Sequence, residues 1–335
     1  MSLDNRNEQI IEWLNLFLKK KDSINFSGLI KLPVEASNRI YYRFKINNKK
    51  FILMDANPEK ASKRQTENFI YISKLFKEYG LNTPIVYFKN LEKGFLIISD
   101  LGILTYYDYI TLNKNNYNFN ISELYKTAIN SLLKIQVNTK ENILEEYNYD
   151  FQIKYMNYFV DIYLKKYSNK SIDNLNLLDT FEIIMNNLNN QQKVFIHIDY
   201  HSRNLIYNTK NNNLNPGIID FQHAKMGPIC YDLASLLHDS YIDLDENIIE
   251  ELLYYYWENA KKININTDYN IFYKDFEYAS LQRCIKNIGI FSKLYYESNN
   301  DKFIIYIPKL IKRCKLICLK YIELNNLYKI LLELS

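Results

Sequence analysis

The chain has 335 residues, with 42 Lys and Arg against 38 Asp and Glu and a formal charge of +4. That is too long for one small core and long enough for two lobes, and the near balance of charge, with no basic block beside an aromatic stripe, excludes nucleic acid as the expected partner. The longest apolar runs fall short of the roughly 18 residues a membrane span needs, the opening MSLDNRNEQI lacks a secretory leader pattern, and the scattered cysteines Cys230, Cys284, Cys314 and Cys318 fit a reducing cytoplasm better than a disulfide framework.

In chain order, apolar spacing predicts a helix from Glu8 to Lys20. RIYYRFKI and KFILMDA are β-rich runs joined by Asn47-Asn48, the signal of a hairpin with a tight turn. A helical pattern runs from Pro58 to Tyr79, with Pro58 in its first turn and Gly80 just past its end. The strands IVYF and GFLIIS follow. Beyond Asp100 the chain reads as mostly helical, near 121–138, 146–167, 171–189, 245–262, 268–297 and 303–324. Between these lie short β-rich runs at Lys193–Ile198, Asn204–Tyr207 and Pro216–Ile219. The Asn-rich pieces at 113–120 and 208–215 read as surface loops. Cys314 and Cys318, four apart, lie on one face of an amphipathic helix, where a core role is the first reading and a metal site the second.

The stretch VFIHIDYHSRNLIY, Val194 to Tyr207, carries the chemistry and has two readings. If the strand runs on through Tyr200, His197, Asp199 and His201 share a face and form a metallohydrolase-like cluster. Alternatively, HIDYHSRN is a His-x-Asp-x-x-x-x-Asn loop, followed by a second aspartate in GIIDFQ. That is the spacing of a kinase catalytic loop and its metal-binding carboxylate. One carboxylate accepts a hydroxyl proton, while an amide and a second carboxylate hold Mg²⁺, a hard cation that prefers oxygen to imidazole. The three residues in order on a strand–loop–strand frame favour the kinase reading.

With EASNRIYYRF, FILMDANPE, GFLIISDLG, HIDYHSRNLIY, IDFQHAKMGPICYDLASLLHDSY and LQRCIKNIGIFSKL in this order over residues 30 to 310, the chain resembles the aminoglycoside phosphotransferase and choline kinase superfamily. Within it, the chain looks most like the bacterial anomeric kinases that phosphorylate N-acetylmuramate and N-acetylglucosamine at C1 in cell-wall recycling. The resemblance implies a two-lobed, protein-kinase-like α+β fold, with a β-rich N-lobe over residues 1–98 and a helical C-lobe over 99–335. It implies ATP and Mg²⁺ as cofactors, a small-molecule substrate, and a cytoplasmic monomer.

Residue by residue, the resemblance makes Asp199 the catalytic base and Asn204 and Asp220 the Mg²⁺ ligands. EASNRIYYRF becomes the hairpin over the phosphates, and Ser99, Asp100 and Leu101 the linker whose backbone meets adenine. His197 braces the catalytic loop. Asp232, in the first turn of a helix with Pro228, ties that helix to the loop. His201 is either a phosphate or sugar contact or a loop-packing residue, Arg203 is a further candidate contact, and Gln222 and His223 either line the sugar site or are loop residues. Arg283 and Lys286, at neighbouring positions of one helix, either receive an anionic group or form a solvated face. Two departures stand out. Met54 occupies the place of the usual phosphate-holding lysine, so the cation passes to Arg43, or else to Arg39 on the same face, with Glu67 either its partner or solvent-facing. Ile198 stands where arginine or glycine is usual, which requires its side chain to face the core. The rival readings are a kinase for an aminoglycoside or choline, and a nucleotide-binding scaffold without turnover.

Overall fold

The computed structural model describes residues 3–18, 28–33, 39–59, 62–139, 144–168, 174–263 and 267–334. They fall into two compact units, Met1–Ile103 with Gly217–Gln222, and Leu104–Pro216 with His223–Ser335. Glu35 to Asn38, the expected tip of the phosphate-covering hairpin, lie outside the described residues.

The first unit is a five-stranded antiparallel sheet of β1 (Ile30–Lys31), β2 (Ile40–Ile46), β3 (Lys49–Asp55), β4 (Val86–Asn90) and β5 (Phe95–Ser99), in the order β1-β2-β3-β5-β4. The turn joining β2 and β3 puts Asn47 at φ +45° and Asn48 at φ +62°. Both are left-handed, as a two-residue turn matching the strand twist requires, and asparagine tolerates this. Strand alternation gives one face Tyr42, Phe44, Phe51, Leu53, Phe95 and Ile97, which close over Ile10 and Leu14 of α1 (Leu3–Leu18). Arg6 of α1 pins that packing, reaching the buried Asp55 at 2.5 Å and the Lys93 carbonyl at 2.6 Å. The opposite face therefore carries Tyr41, Arg43, Ile52 and Met54, with Met54 opposite Tyr41 and Leu96 in register.

Helix α2 (Lys63–Glu78) buries Phe69, Ile72 and Phe76 on one stripe. It begins after Ser62, not at Pro58; Asn57 instead accepts the Glu59 N–H and makes a separate turn there. Its end is as expected. Gly80, at φ +72°, donates to the Lys77 carbonyl and Leu81 donates to the Phe76 carbonyl, which closes the helix with a left-handed residue.

The second unit is helical: α3 (Tyr106–Asn113), α4 (Ile121–Val137), α5 (Tyr149–Tyr158), α6 (Asn174–Asn190), α7 (Tyr231–Leu237), α8 (Glu246–Lys261), α9 (Tyr269–Ser298), α10 (Ile307–Cys318) and α11 (Asn325–Leu332). Helix α5 continues as a π-helix over Phe159–Tyr167. The 30-residue α9 runs through the middle of this unit and is buried over much of its length. At Gly289 a Cβ would stand 2.6 Å from the Phe159 nitrogen, so glycine is what lets α9 approach the α5 backbone there. Cys314 and Cys318 are buried on the inner face of α10, and no cluster of three or more potential metal ligands occurs among the described residues.

A short ribbon pairs β6 (Lys193–Ile196) with β9 (Lys225–Pro228), Lys193 standing opposite Pro228. Pro228 therefore ends a strand and is not in the first turn of α7. The expected strands near Asn204 and Pro216 are two-residue pieces, β7 (Leu205–Ile206) and β8 (Gly217–Ile218). No helix among the described residues is long and apolar enough to cross a membrane.

Candidate active site

Strand β6 stops at Ile196 for a physical reason. The His197 N–H turns away from the ribbon and donates to Asp232 Oδ2 at 2.5 Å, and the Ile198 N–H donates to Asp232 Oδ1 at 3.0 Å. Ile198 then takes φ +78°, outside the β region, with its side chain buried as the sequence required. The alternating face that would have gathered His197, Asp199 and His201 into a metal cluster therefore does not form. His197 is fully buried and its Nδ1 accepts from the Asp199 N–H at 3.3 Å, while Asp232 holds the backbone at the start of the turn.

Asp199 projects from this turn with 38% of its side chain exposed, toward two cations on α9. Lys286 Nζ is 3.6 Å and Arg283 Nη1 3.9 Å from Asp199 Oδ1, and both cations are buried. The solvated-face reading of Arg283 and Lys286 is thereby corrected. They lie four-fifths of a helical turn apart on the side of α9 turned inward, and no amphipathic pattern in so buried a helix reveals that side. Burial opposes the Asp199 charge, but the Lys286 ammonium and the Arg283 guanidinium outweigh it and hold the carboxyl well below the usual carboxylate range. Lys286 also donates to the Tyr231 hydroxyl at 3.2 Å.

The rest of the loop is tied down from several sides. Asn204 Nδ2 donates to the Asp199 carbonyl at 3.0 Å, which points the amide nitrogen back into the loop. The His201 ring lies 3.4 Å from that nitrogen, and burial lowers its pKa, so it sits as a neutral imidazole. Arg203 does not reach out for phosphate; its guanidinium stacks 4.0 Å from the Tyr241 ring centre and 4.7 Å from that of Tyr107. Asp239 escaped the sequence reading, yet it is buried and accepts the Ser202 N–H at 2.9 Å and the Tyr241 N–H at 2.8 Å. Nothing in LLHDS distinguishes it from a helix-end aspartate. His223 is exposed.

In the first unit, Asp220 sits at φ +65° with Gln222 Nε2 donating to its Oδ1 at 2.6 Å. Gln222 is buried and its amide nitrogen is committed to Asp220, which fits the loop role held open beside a sugar contact. Tyr41 lies in the same neighbourhood. Burial first, and then Asp220, raise its phenol pKa, and Arg39 opposes the shift. Arg39 is buried and donates to Gln65 Oε1 at 3.2 Å, and Glu67 is exposed. Arg43 has another partner: its Nε and Nη2 grip Asp100 at 2.6 and 3.0 Å, and Nη2 also reaches the Gly102 carbonyl at 3.1 Å. The fork expected on phosphate thus closes on the linker. The Ser99 N–H, one of the groups expected to meet adenine, is taken by the Ile85 carbonyl at 2.9 Å.

The model of the phosphotransferase enzyme family matches residues 29–262. The chain belongs to this family. A relative from Neisseria meningitidis serogroup B, named N-acetylmuramate/N-acetylglucosamine kinase, is 29% identical over 98% of this chain and 96% of its own. A relative of the same name from Pseudomonas aeruginosa is 27% identical over 100% of this chain and 98% of its own. Among solved structures, choline kinase LicA from Streptococcus pneumoniae superposes with a TM-score of 0.61 at 16% identity, covering 91% of this chain and 99% of that one. Aminoglycoside 2'-phosphotransferase-IIIa, in its GDP complex, gives 0.61 at 12% identity, covering 94% and 99%. These likenesses establish the two-lobed kinase-like fold of a family phosphotransferase. Asp199, Asn204 and Asp220 all fall inside the span matched by the family model.

Proposed function

We propose that this phosphotransferase uses ATP to phosphorylate an amino sugar of the N-acetylmuramate and N-acetylglucosamine class at its anomeric hydroxyl, in the recycling of cell-wall sugars. The observation that carries this reading is the end-to-end correspondence with relatives of that name, at 27–29% identity over nearly the full length of both partners. The charge around Asp199 supports it against the rivals within the family. Two buried cations stand within 4 Å of the carboxylate that meets the acceptor, which disfavours a polycationic aminoglycoside or a quaternary ammonium and admits a neutral or anionic sugar.

In this reading the anomeric oxygen attacks the γ-phosphorus, the bond to the β-phosphate oxygen breaks, ADP leaves, and the hydroxyl proton passes to Asp199. A carboxylate held so low is a weak base, and the anomeric hydroxyl is more acidic than an ordinary alcohol, so the mismatch is smaller for this acceptor. Asn204 and Asp220 fit Mg²⁺. Both are hard oxygen donors, and commitment of the Asn204 nitrogen to the Asp199 carbonyl leaves the amide oxygen as the end that accepts a cation. When bound, the ion would neutralise phosphate charge. Arg39 is the proposed phosphate cation of the first unit, since Arg43 is engaged by Asp100.

The test is turnover of ATP with N-acetylmuramate, N-acetylglucosamine, glucose, kanamycin and choline, with the product position read by phosphorus–proton coupling to H1. Sugar turnover with loss of the reducing end supports the reading. Turnover of kanamycin or choline alone overturns it, and ATP binding without turnover of any acceptor makes the chain a scaffold.

A further inference from the structure

Ile198 holds a backbone conformation that its side chain disfavours. Of the non-glycine residues with positive φ among those described (Asn47, Asn48, Ile198, Asp220 and Asn299), it is the one that is β-branched. Such a conformation persists only where the surroundings over-determine it. Three hydrogen bonds do so here. Asp232 takes the N–H groups of His197 and Ile198, and Arg283 Nη1 donates to the Ile198 carbonyl at 2.7 Å. That carbonyl belongs to the peptide that leads into Asp199.

The two α9 cations divide the work by the bonds they make. Both stand beyond hydrogen-bond reach of the Asp199 carboxylate, Lys286 at 3.6 Å and Arg283 at 3.9 Å. Lys286 donates to the Tyr231 hydroxyl, whereas Arg283 makes a short, direct bond to the peptide. Its guanidinium lies 5.2 Å from the Tyr231 ring centre, a flat surface on which a planar fork can stack.

We infer that Arg283 is a positioning residue: by holding the strained Ile198 carbonyl from α9, it fixes the 198–199 peptide and so aims Asp199 at the acceptor hydroxyl. This rests on the reading of Asp199 as the group that meets the acceptor. The inference separates cleanly from a role through charge or through substrate contact, because glycine adopts positive φ without the β-branched penalty. A loop carrying Ile198→Gly needs the brace less, whereas neither a charge effect on Asp199 nor a contact with sugar would notice the exchange.

The experiment compares the whole chain as wild type, Arg283→Met, Ile198→Gly and the double variant, for kcat and both Michaelis constants with the sugar that wild type turns over. Arg283→Met should lower kcat about a hundredfold, the scale of a misplaced catalytic group, with the ATP Michaelis constant little changed. In the Ile198→Gly background the same substitution should cost at least tenfold less, roughly the release expected of one strained residue. An equal penalty in both backgrounds, or no loss of kcat in Arg283→Met, overturns the inference. Should Arg283→Met fail to fold, recovery of folded protein in the double variant supports the brace and continued failure overturns it. A wild type that phosphorylates none of the sugars defeats the functional reading instead, and the brace is then judged from the unfolding midpoints of the four proteins by the same comparison.

Discussion

Asp232→Asn offers a demanding test of how the catalytic turn is held. The carboxylate accepts the His197 N–H at 2.5 Å and the Ile198 N–H at 3.0 Å, one on each oxygen, and an amide can accept on one side only. A buried donor then faces an NH₂ group, a loss of about 1–3 kcal/mol, seen as a fall of several degrees in unfolding midpoint. The pH dependence is more specific. Burial, working against the two backbone hydrogen bonds and the Arg283 charge, pushes Asp232 up to about 7. Because this lies above the unfolded value near 4, the folded chain binds the proton more tightly. The stability this group contributes is fully present below pH about 4 and is lost as the pH rises through about 7, on the order of 3–5 kcal/mol over the whole window. Activity should move the other way, since the hydroxyl of a protonated Asp232 is a far poorer acceptor than a carboxylate oxygen and loosens one hold on the turn. From pH 8 to 6, then, wild type should gain stability over Asp232→Asn while its kcat falls toward that of the variant. Thermal unfolding by circular dichroism and initial rates, each between pH 5 and 8, decide the matter. Parallel stability curves for the two proteins would refute the argument, because they would mean that Asp232 does not titrate in this range.

The remaining predictions concern the transfer itself. Asp199→Asn should keep nucleotide affinity by calorimetry and lose roughly 10²- to 10⁴-fold in kcat, as expected for loss of a general base; near wild-type turnover would remove Asp199 from that role. Asp220→Asn should weaken the Mg²⁺-dependent part of ATP binding, since a neutral amide is a poorer ligand for a hard dication, and an identical Mg²⁺ titration for the two proteins would contradict it. Arg39→Ala should raise the ATP Michaelis constant tenfold or more, about 1.5–3 kcal/mol for one charged contact. Arg43→Ala, which frees Asp100, should act mainly on the unfolding midpoint. The opposite pattern would return the phosphate role to Arg43.

Local chemistry is what the sequence made legible. The Asn47-Asn48 turn needs left-handed residues and has them, the Gly80 helix end is encoded within four residues, and Asp199 and Asn204 are readable as a pair because one short loop carries both, with Asp220 following the next short strands. Readings that depend on a distant partner fared differently. Alternation puts Arg43 on the face of β2 away from α1 but cannot reveal Asp100, 57 positions on. Pro228 and Gly227 look like breakers, and it takes the pairing with β6 to make them a strand. The aromatic run Tyr106–Asn113 becomes a helix through the Thr105–Asp108 capping box, a signal present in the sequence and passed over. The π-helix after α5 has no signature in the sequence that we can identify.

The charge pattern around Asp199 accounts for how much of the second unit is given to holding one loop. Phosphoryl transfer asks little covalent chemistry of a protein and depends on placement and charge. A carboxylate kept ionised by Lys286 and Arg283 has little driving force to take a proton, so its value lies in where it points. Asp232 fixes the peptide before it, Arg283 the carbonyl leading into it, Asn204 its own carbonyl, and Asp239 the turn beyond it. Three of these four are buried, and each bonds to main chain, where an error in direction is passed straight to the side chain. An enzyme relying on a strong base could tolerate a loosely held one; under the proposed reading of Asp199 as a weak base, orientation matters more, and the structure secures it from four separate places in the sequence.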